Sequence, residues 1–201
     1  MKVAAALSSL ALIHAAAAQT IQSKPFELVI QSSNTSIHGK KLLASCHEGA
    51  AIESLCITGT ASSQFFLNTT KGETAPVKGY TTDGSLIWNL PVGNEPTDES
   101  EPMSFYVDPS TNVALPLFEP GYQTQNVAFE QSTGAMAIFS YLDDTVTPPT
   151  GGTPKVLKNW YVCEYYYTGY VYHTLNWVLG DASAKPQNPS CVKVQVHRKF
   201  V

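Results

Sequence analysis

The chain has 201 residues, with 12 Lys+Arg against 16 Asp+Glu for a formal charge of −4, and charged residues make up only 14% of it. With 43% apolar types and 10% aromatics, the composition excludes a disordered chain, whose signature is few aromatics and high net charge. It also excludes a nucleic-acid partner, because the few Lys and Arg are scattered and a phosphate-binding surface needs them clustered.

Residues 1–18 open with Lys2, continue as an Ala/Leu-rich run and place Ala16 and Ala18 before Gln19. This three-part pattern predicts a secretory signal peptide cut after Ala18. The run is shorter than the roughly 20 apolar residues of a spanning helix. The expected organisation is therefore a signal peptide (1–18) followed by one secreted domain (19–201), without a membrane partner. The segment 192–201 is charged and strand-like, unlike a lipid-anchor signal.

Beyond the signal, strand-like runs with alternation or β-branched and aromatic enrichment follow one another to the end of the chain. One series comprises residues 26–31, 41–44, 64–69 and 85–90. A second comprises 104–108, 112–118, 126–130 and 135–141. A third comprises 160–167, 170–178 and 191–200, with one strand missing or disguised in 180–189. Residues 50–55 read as one helical turn or a strand edge. Gly and Pro, 13 of each, punctuate the gaps as turn residues. Two polar stretches, 93–102 and 144–154, read as long surface loops in one domain, since the pieces they would separate are too small for comfortable cores. Segments opening near Phe26, Met103 and Trp160 suggest three four-strand units. The expected fold is all-β in a single domain, a β-trefoil favoured over a β-sandwich.

All four cysteines lie beyond the signal, and an even count in an exported chain predicts disulfides. Of three connectivities, Cys46–Cys56 is favoured by closeness in sequence, and Cys163–Cys191 then joins two strand-like segments. Zinc is a poor alternative: there is no CxxC pair, and His47 directly beside Cys46 is awkward spacing for two ligands. No metal and no cofactor are expected. Asn34 and Asn68 head N-glycosylation triplets, whereas Pro189 disqualifies Asn188.

Catalytic patterns are sparse. There is no HExxH or GxSxG. His38, His47, His173 and His197 carry no ligand spacing, and His47 beside Glu48 reads as a polar loop between two cysteines. Asp143 and Asp144 read as turn initiators rather than as a glycosidase pair, which needs a defined carboxyl separation. Glu164 lies inside an aromatic strand, and no EF-hand loop offers a calcium site. The chain is read as non-enzymatic.

The densest feature is aromatic: Trp160, Tyr161, Tyr165, Tyr166, Tyr167, Tyr170, Tyr172 and Trp177 fall within 18 residues, around a Thr168-Gly169 hairpin turn. Strand alternation puts aromatic rings on both faces. One face can pack as cross-strand pairs. The other can offer rings with an apolar body and polar tip to a ligand, and the candidate set is Trp160, Tyr166, Tyr170 and Tyr172, stacking on glycan or cell-wall polysaccharide.

Residues 42–56 (LLASCHEGAAIESLC), 84–91 (GSLIWNLP), 110–121 (STNVALPLFEPG), 159–180 (NWYVCEYYYTGYVYHTLNWVLG) and 188–196 (NPSCVKVQV) occur in order along the chain. Together they resemble a family of small secreted proteins of filamentous ascomycete fungi, classed as a domain of unknown function, some members of which are labelled IgE-binding protein. The resemblance implies an extracellular or cell-wall protein without established enzymatic activity, and the IgE label describes recognition by a host antibody. It carries over no functional residue. The expectation is a secreted glycan-binding protein. The alternatives are a protease inhibitor presenting residues 93–102 or 144–154 as a substrate-like loop, and a host-directed effector or allergen.

Overall fold

The structure, a computed structural model, describes residues 19–46, 51–93 and 98–201. The expected signal peptide and the pair His47 and Glu48 lie outside the described residues. Among the described residues there are fifteen strands and no helix: β1 (Thr20–Gln22), β2 (Phe26–Gln31), β3 (Lys41–Cys46), β4 (Glu53–Thr58), β5 (Phe65–Thr70), β6 (Gly84–Pro91), β7 (Asp98–Tyr106), β8 (Val113–Phe118), β9 (Asn126–Phe129), β10 (Met136–Asp143), β11 (Thr150–Leu157), β12 (Trp160–Tyr167), β13 (Tyr170–Val178), β14 (Val192–Lys193) and β15 (Gln195–Phe200).

Every pairing between these strands is antiparallel, and the pairings close on themselves. A circuit of eight runs β2, β3, β4, β13, β8, β7, β6, β5 and back to β2 through Phe26 opposite Phe65. A second ring uses six strands, β2, β5, β6, β9, β10 and β15, joined between the last two elements by the bridge from Ala135 to His197. The hairpins β3–β4, β7–β8 and β12–β13 cap this ring. Their strands β4, β8 and β13 meet pairwise through Cys56 opposite Thr174, Glu53 opposite Phe118 and Ala114 opposite Trp177. Six ring strands under three meeting hairpins make the trefoil arrangement in one domain. Closure, rather than two open sheets face to face, separates it from a sandwich.

The sequence has the right architecture and the wrong phase. The units open at Phe26, Gly84 and Met136, not at Phe26, Met103 and Trp160. Of residues 50–55, read as one helical turn or a strand edge, 53–55 open the interior strand β4. No strand is hidden at 180–189, where the chain makes turns. About half of each polar stretch is strand as well, and residues 94–97 lie outside the described residues. Residues 98–102 pair with β6, and 150–154 lie in β11 against β10. Outside the threefold scheme, β1 lies on β5, β11 on β10 and β14 on β12.

The ring strands alternate as half-buried strands must. In β2, Phe26, Leu28 and Ile30 are fully buried and the residues between them are half-buried. They meet Phe65, Leu86, Val127, Phe129, Met136 and Val196 in the main core. β8 is buried on both faces, because a second cluster joins its Val113, Leu115 and Leu117 to Cys163, Tyr165 and Val178. Both disulfides form as expected: Cys46–Cys56 staples the first capping hairpin, and Cys163–Cys191 ties β12 to the segment before β14. Loop closure of these lengths contributes about 3 kcal/mol each in the chain-entropy account.

Trp160 corrects another expectation. It is fully buried, its indole N–H donates to the Met136 carbonyl at 3.0 Å, and its ring meets Trp177 edge-on at 4.7 Å. It is a core residue joining a capping hairpin to the ring, and it has no face for a ligand. Gly84 marks the tightest crossing, where β6 sits between β5 and β9. A Cβ there would collide with the Asn68 carbonyl oxygen and come within 2.9 Å of Thr69 Cγ2. Since the obstacle is largely backbone, Gly84→Ala is expected to destabilise the fold by about 2 kcal/mol or more, in the overpacking range, as measured by urea unfolding.

Candidate functional site

The β12–β13 hairpin is longer than the core it covers. At its root, Trp160, Val162, Leu175 and Trp177 enter the main core. Towards the tip the same face carries Glu164 opposite His173 and Tyr166 opposite Val171, all exposed. The turn is the two-residue connection expected: Thr168 and Gly169 have φ of 48° and 100°, positive at both positions as a type I′ turn requires.

The other face carries Tyr165 opposite Tyr172 and Tyr167 opposite Tyr170. The rings of Tyr170 and Tyr172 lie 6.2 Å apart, and Tyr167 meets Tyr106 of β7 edge-on at 5.1 Å. Tyr166 therefore leaves the strand on the face opposite Tyr170 and Tyr172, and the four expected ligand residues do not share one surface. What the fold does assemble is a groove of about 530 Å³ between the hairpin and residues 106–111, lined by Tyr106, Tyr165, Tyr166, Tyr167, Asp108 and Asn188 among others. Tyr106 and Asp108 were invisible as site residues in the sequence, since they stand some sixty positions upstream of the tyrosines they join.

The polar groups of this groove are held. Asp108 Oδ1 accepts from the Ser110 N–H at 2.8 Å and the Ser110 O–H at 2.6 Å, which lowers its carboxyl below the usual aspartate value. Burial pushes the Tyr165 phenol up to about 12, with Tyr106 and Asp108 adding to the shift. Asn188 donates to the Glu164 carbonyl and accepts twice from Ser190. The arrangement offers aromatic faces beside a fixed carboxylate, the chemistry that packs on a sugar ring and accepts from its hydroxyls.

The family profile described as Domain of unknown function (DUF7907) matches residues 23–200. The chain belongs to the DUF7907 family. No curated protein and no solved structure matches it. The matched span begins just before β2 and ends with β15, so the DUF7907 unit coincides with the whole trefoil. Its two disulfides fit an oxidising environment, and among the described residues no helix is long and apolar enough to cross a membrane.

The other sequence candidates are dispersed in this DUF7907 domain. Asp143 is a turn initiator: its Oδ1 accepts from the Thr145 N–H and O–H at 3.2 and 2.6 Å, and those bonds lower its carboxyl. The same Asx geometry recurs at Asn34 with Ser36, Asp181 with Ser183 and Asn188 with Ser190. Glu164 and His173 are cross-strand neighbours on the exposed hairpin. Among the described residues no three His, Cys, Asp or Glu side chains come together as a metal cage.

Sequence reasoning missed a buried acid. Glu101 is fully buried, and neither carboxyl oxygen has a hydrogen-bond partner. In register it follows Phe65 and Trp88 across β5, β6 and β7, so it faces the interior. Burial pushes its carboxyl up to about 7, and the carboxylates of Glu53, Glu99 and Glu119 add to the rise. The ordinary value is 4.5, so the folded state holds the proton more tightly than the unfolded chain. The associated stability is complete below that ordinary value and is lost as pH rises towards 7. Glu101→Gln removes the titration while keeping the shape. It should raise Tm at pH 8 and leave it nearly unchanged at pH 4, measured by thermal melts across that range.

Proposed function

We propose that this DUF7907 protein is a non-enzymatic, extracellular glycan-binding β-trefoil of a fungal secretome or cell wall, which grips a neutral sugar through the tyrosine groove at the β12–β13 tip. The observation that carries the reading is the packing of Tyr106 on Tyr167 beside Tyr165 in one groove, whose lining also includes Tyr166 and the held carboxylate of Asp108. Tyr166 and its cross-strand neighbour Val171 are 69% and 63% exposed, so together they present apolar surface at the hairpin tip. Tyr170, 67% exposed, extends the aromatic surface around the turn. The recognition of such proteins by IgE, implied by the family resemblance, is on this reading a host response to an exposed surface.

Glycan arrays and a pull-down on fungal wall polysaccharide test the proposal. Tyr166→Ala and Tyr106→Ala should each weaken binding several-fold, corresponding to about 1 kcal/mol for a lost ring contact. Tyr166→Ala should leave Tm unchanged because its ring supports no core contact. Absence of any glycan signal, or binding untouched by both substitutions, overturns it.

The two sequons separate on the same physical grounds. Asn34 is exposed in a turn, whereas Asn68 sits in β5 between β1 and β6 with its Oδ1 buried. Mass spectrometry of protein secreted from a fungal host is expected to find glycan on Asn34 and an unmodified Asn68.

A further inference from the structure

On a different part of the surface, the turn after β2 and the strands β14 and β15 enclose an open groove of about 710 Å³. Its charged and ionisable lining is Lys158, Lys193, His38 and His197, and no Asp or Glu lines it. That composition runs against the chain as a whole, which carries 16 acidic and only 12 basic side chains. The remainder of the wall is neutral: Gln31 and Gln195 paired across β2 and β15, Ser32 and Ser33 at the turn, and Val194 as the one apolar member.

The cations differ in how far they are neutralised. Lys158 Nζ lies 3.1 Å from Glu130 Oε2. Lys193 has no carboxylate within salt-bridge distance among the described residues, and its ammonium stands over the Tyr161 ring at 4.6 Å from the centroid. The ring positions the charge without cancelling it. His197 Nδ1 lies 2.9 Å from the Thr133 carbonyl, an oxygen that only accepts, so this nitrogen carries its proton. His38 Nδ1 is engaged by the Ser32 backbone, which leaves its Nε2 for another partner.

We infer that this groove is a second ligand site, taking an acidic sugar whose carboxylate is held by Lys193 and whose hydroxyls meet Gln31, Gln195 and the two serines. A single unneutralised ammonium suits one oxyanion. The surrounding amides and hydroxyls suit a polyhydroxylated ring rather than an apolar ligand. No Phe, Tyr or Trp lines the groove, which leaves it without the large stacking platforms that single-stranded nucleic acid binding uses. The site shares no lining residue with the tyrosine groove and does not depend on it.

The test is calorimetric titration of the oxidised full domain at low salt, in an Asn34→Gln background that removes the sequon beside the groove. The probes are tetragalacturonate, a neutral tetrasaccharide, inorganic sulfate and a single-stranded oligonucleotide. Tetragalacturonate should bind, Lys193→Gln should weaken it about tenfold, the scale of one charge-assisted hydrogen bond, and Tyr166→Ala should have no effect on it. Sulfate should bind at least tenfold more weakly than the tetrasaccharide acid, and the oligonucleotide more weakly still. The inference is overturned if tetragalacturonate does not bind or ignores Lys193→Gln, or if sulfate or the oligonucleotide binds as tightly. Loss of uronate binding in Tyr166→Ala, with Lys193→Gln silent, would also overturn it by placing the acid in the other groove.

Discussion

The indole of Trp160 holds the two layers of the molecule together. A capping hairpin has no reason to sit at a fixed height over the ring unless something buried spans both, and Trp160 does so by donating to the Met136 carbonyl in β10 while packing on Trp177 and Phe105. Because its polar atom is satisfied inside, a large aromatic can be buried there without an orphaned donor. The consequence reaches the surface. Once the hairpin root is anchored at this depth, β12 and β13 outrun the main core: Tyr165 still packs in the second cluster, and Tyr166 and Tyr167 beyond it turn outward or against Tyr106. The groove proposed as the glycan site is thus the overhang of an element whose root is fixed by packing.

Few charges are available to this surface, and the fold spends several of them locally. Asp108, Asp143 and Asp181 are each occupied by a hydroxyl and an N–H two residues on. They order turns rather than form long-range ion pairs, with only Lys155 reaching Asp143 at 3.7 Å. Glu101 is withdrawn into the interior, where water cannot support its charge. The exposed cations near β14 are therefore less opposed by neighbours than the overall acidity suggests.

The fold class was legible in residues 26–31, 160–167 and 170–178, where alternation and aromatic density leave only strand. The threefold division was legible too, but its phase hinged on β4. The run Glu53-Ser54-Leu55-Cys56 is buried at every position, since β4 pairs with β3 on one edge and with β8 and β13 on the other, and a fully buried strand shows no alternation to read. Missing it moved the boundary of every later unit by one strand. Glu101 was hidden for the opposite reason. It sits in an acidic run whose composition signals solvent, and only the register opposite Trp88 turns it inward. The disulfides were legible because Cys46 and Cys56 are close in sequence and their pairing leaves Cys163 for Cys191. The grooves were not, since each is built from segments distant in sequence and no local pattern joins Tyr106 to Tyr167 or Ser32 to Lys193.

The pairing of β2 with β15 gives the first strand of the ring its partner at the far end of the chain: Phe26 lies opposite Phe200. For a chain delivered from its N-terminus, β2 can find β3 and β5 early, but its other edge stays unpaired until residues 195–200 emerge. Such distant pairing carries a large loop-closure cost before any contact rewards it. It also leaves a hydrophobic strand with an open edge in the meantime, a template for association with other chains. The trefoil is therefore a structure whose completion waits on its final strand, and a shortened chain lacking residues 195–200 would expose β2 rather than merely lose an end.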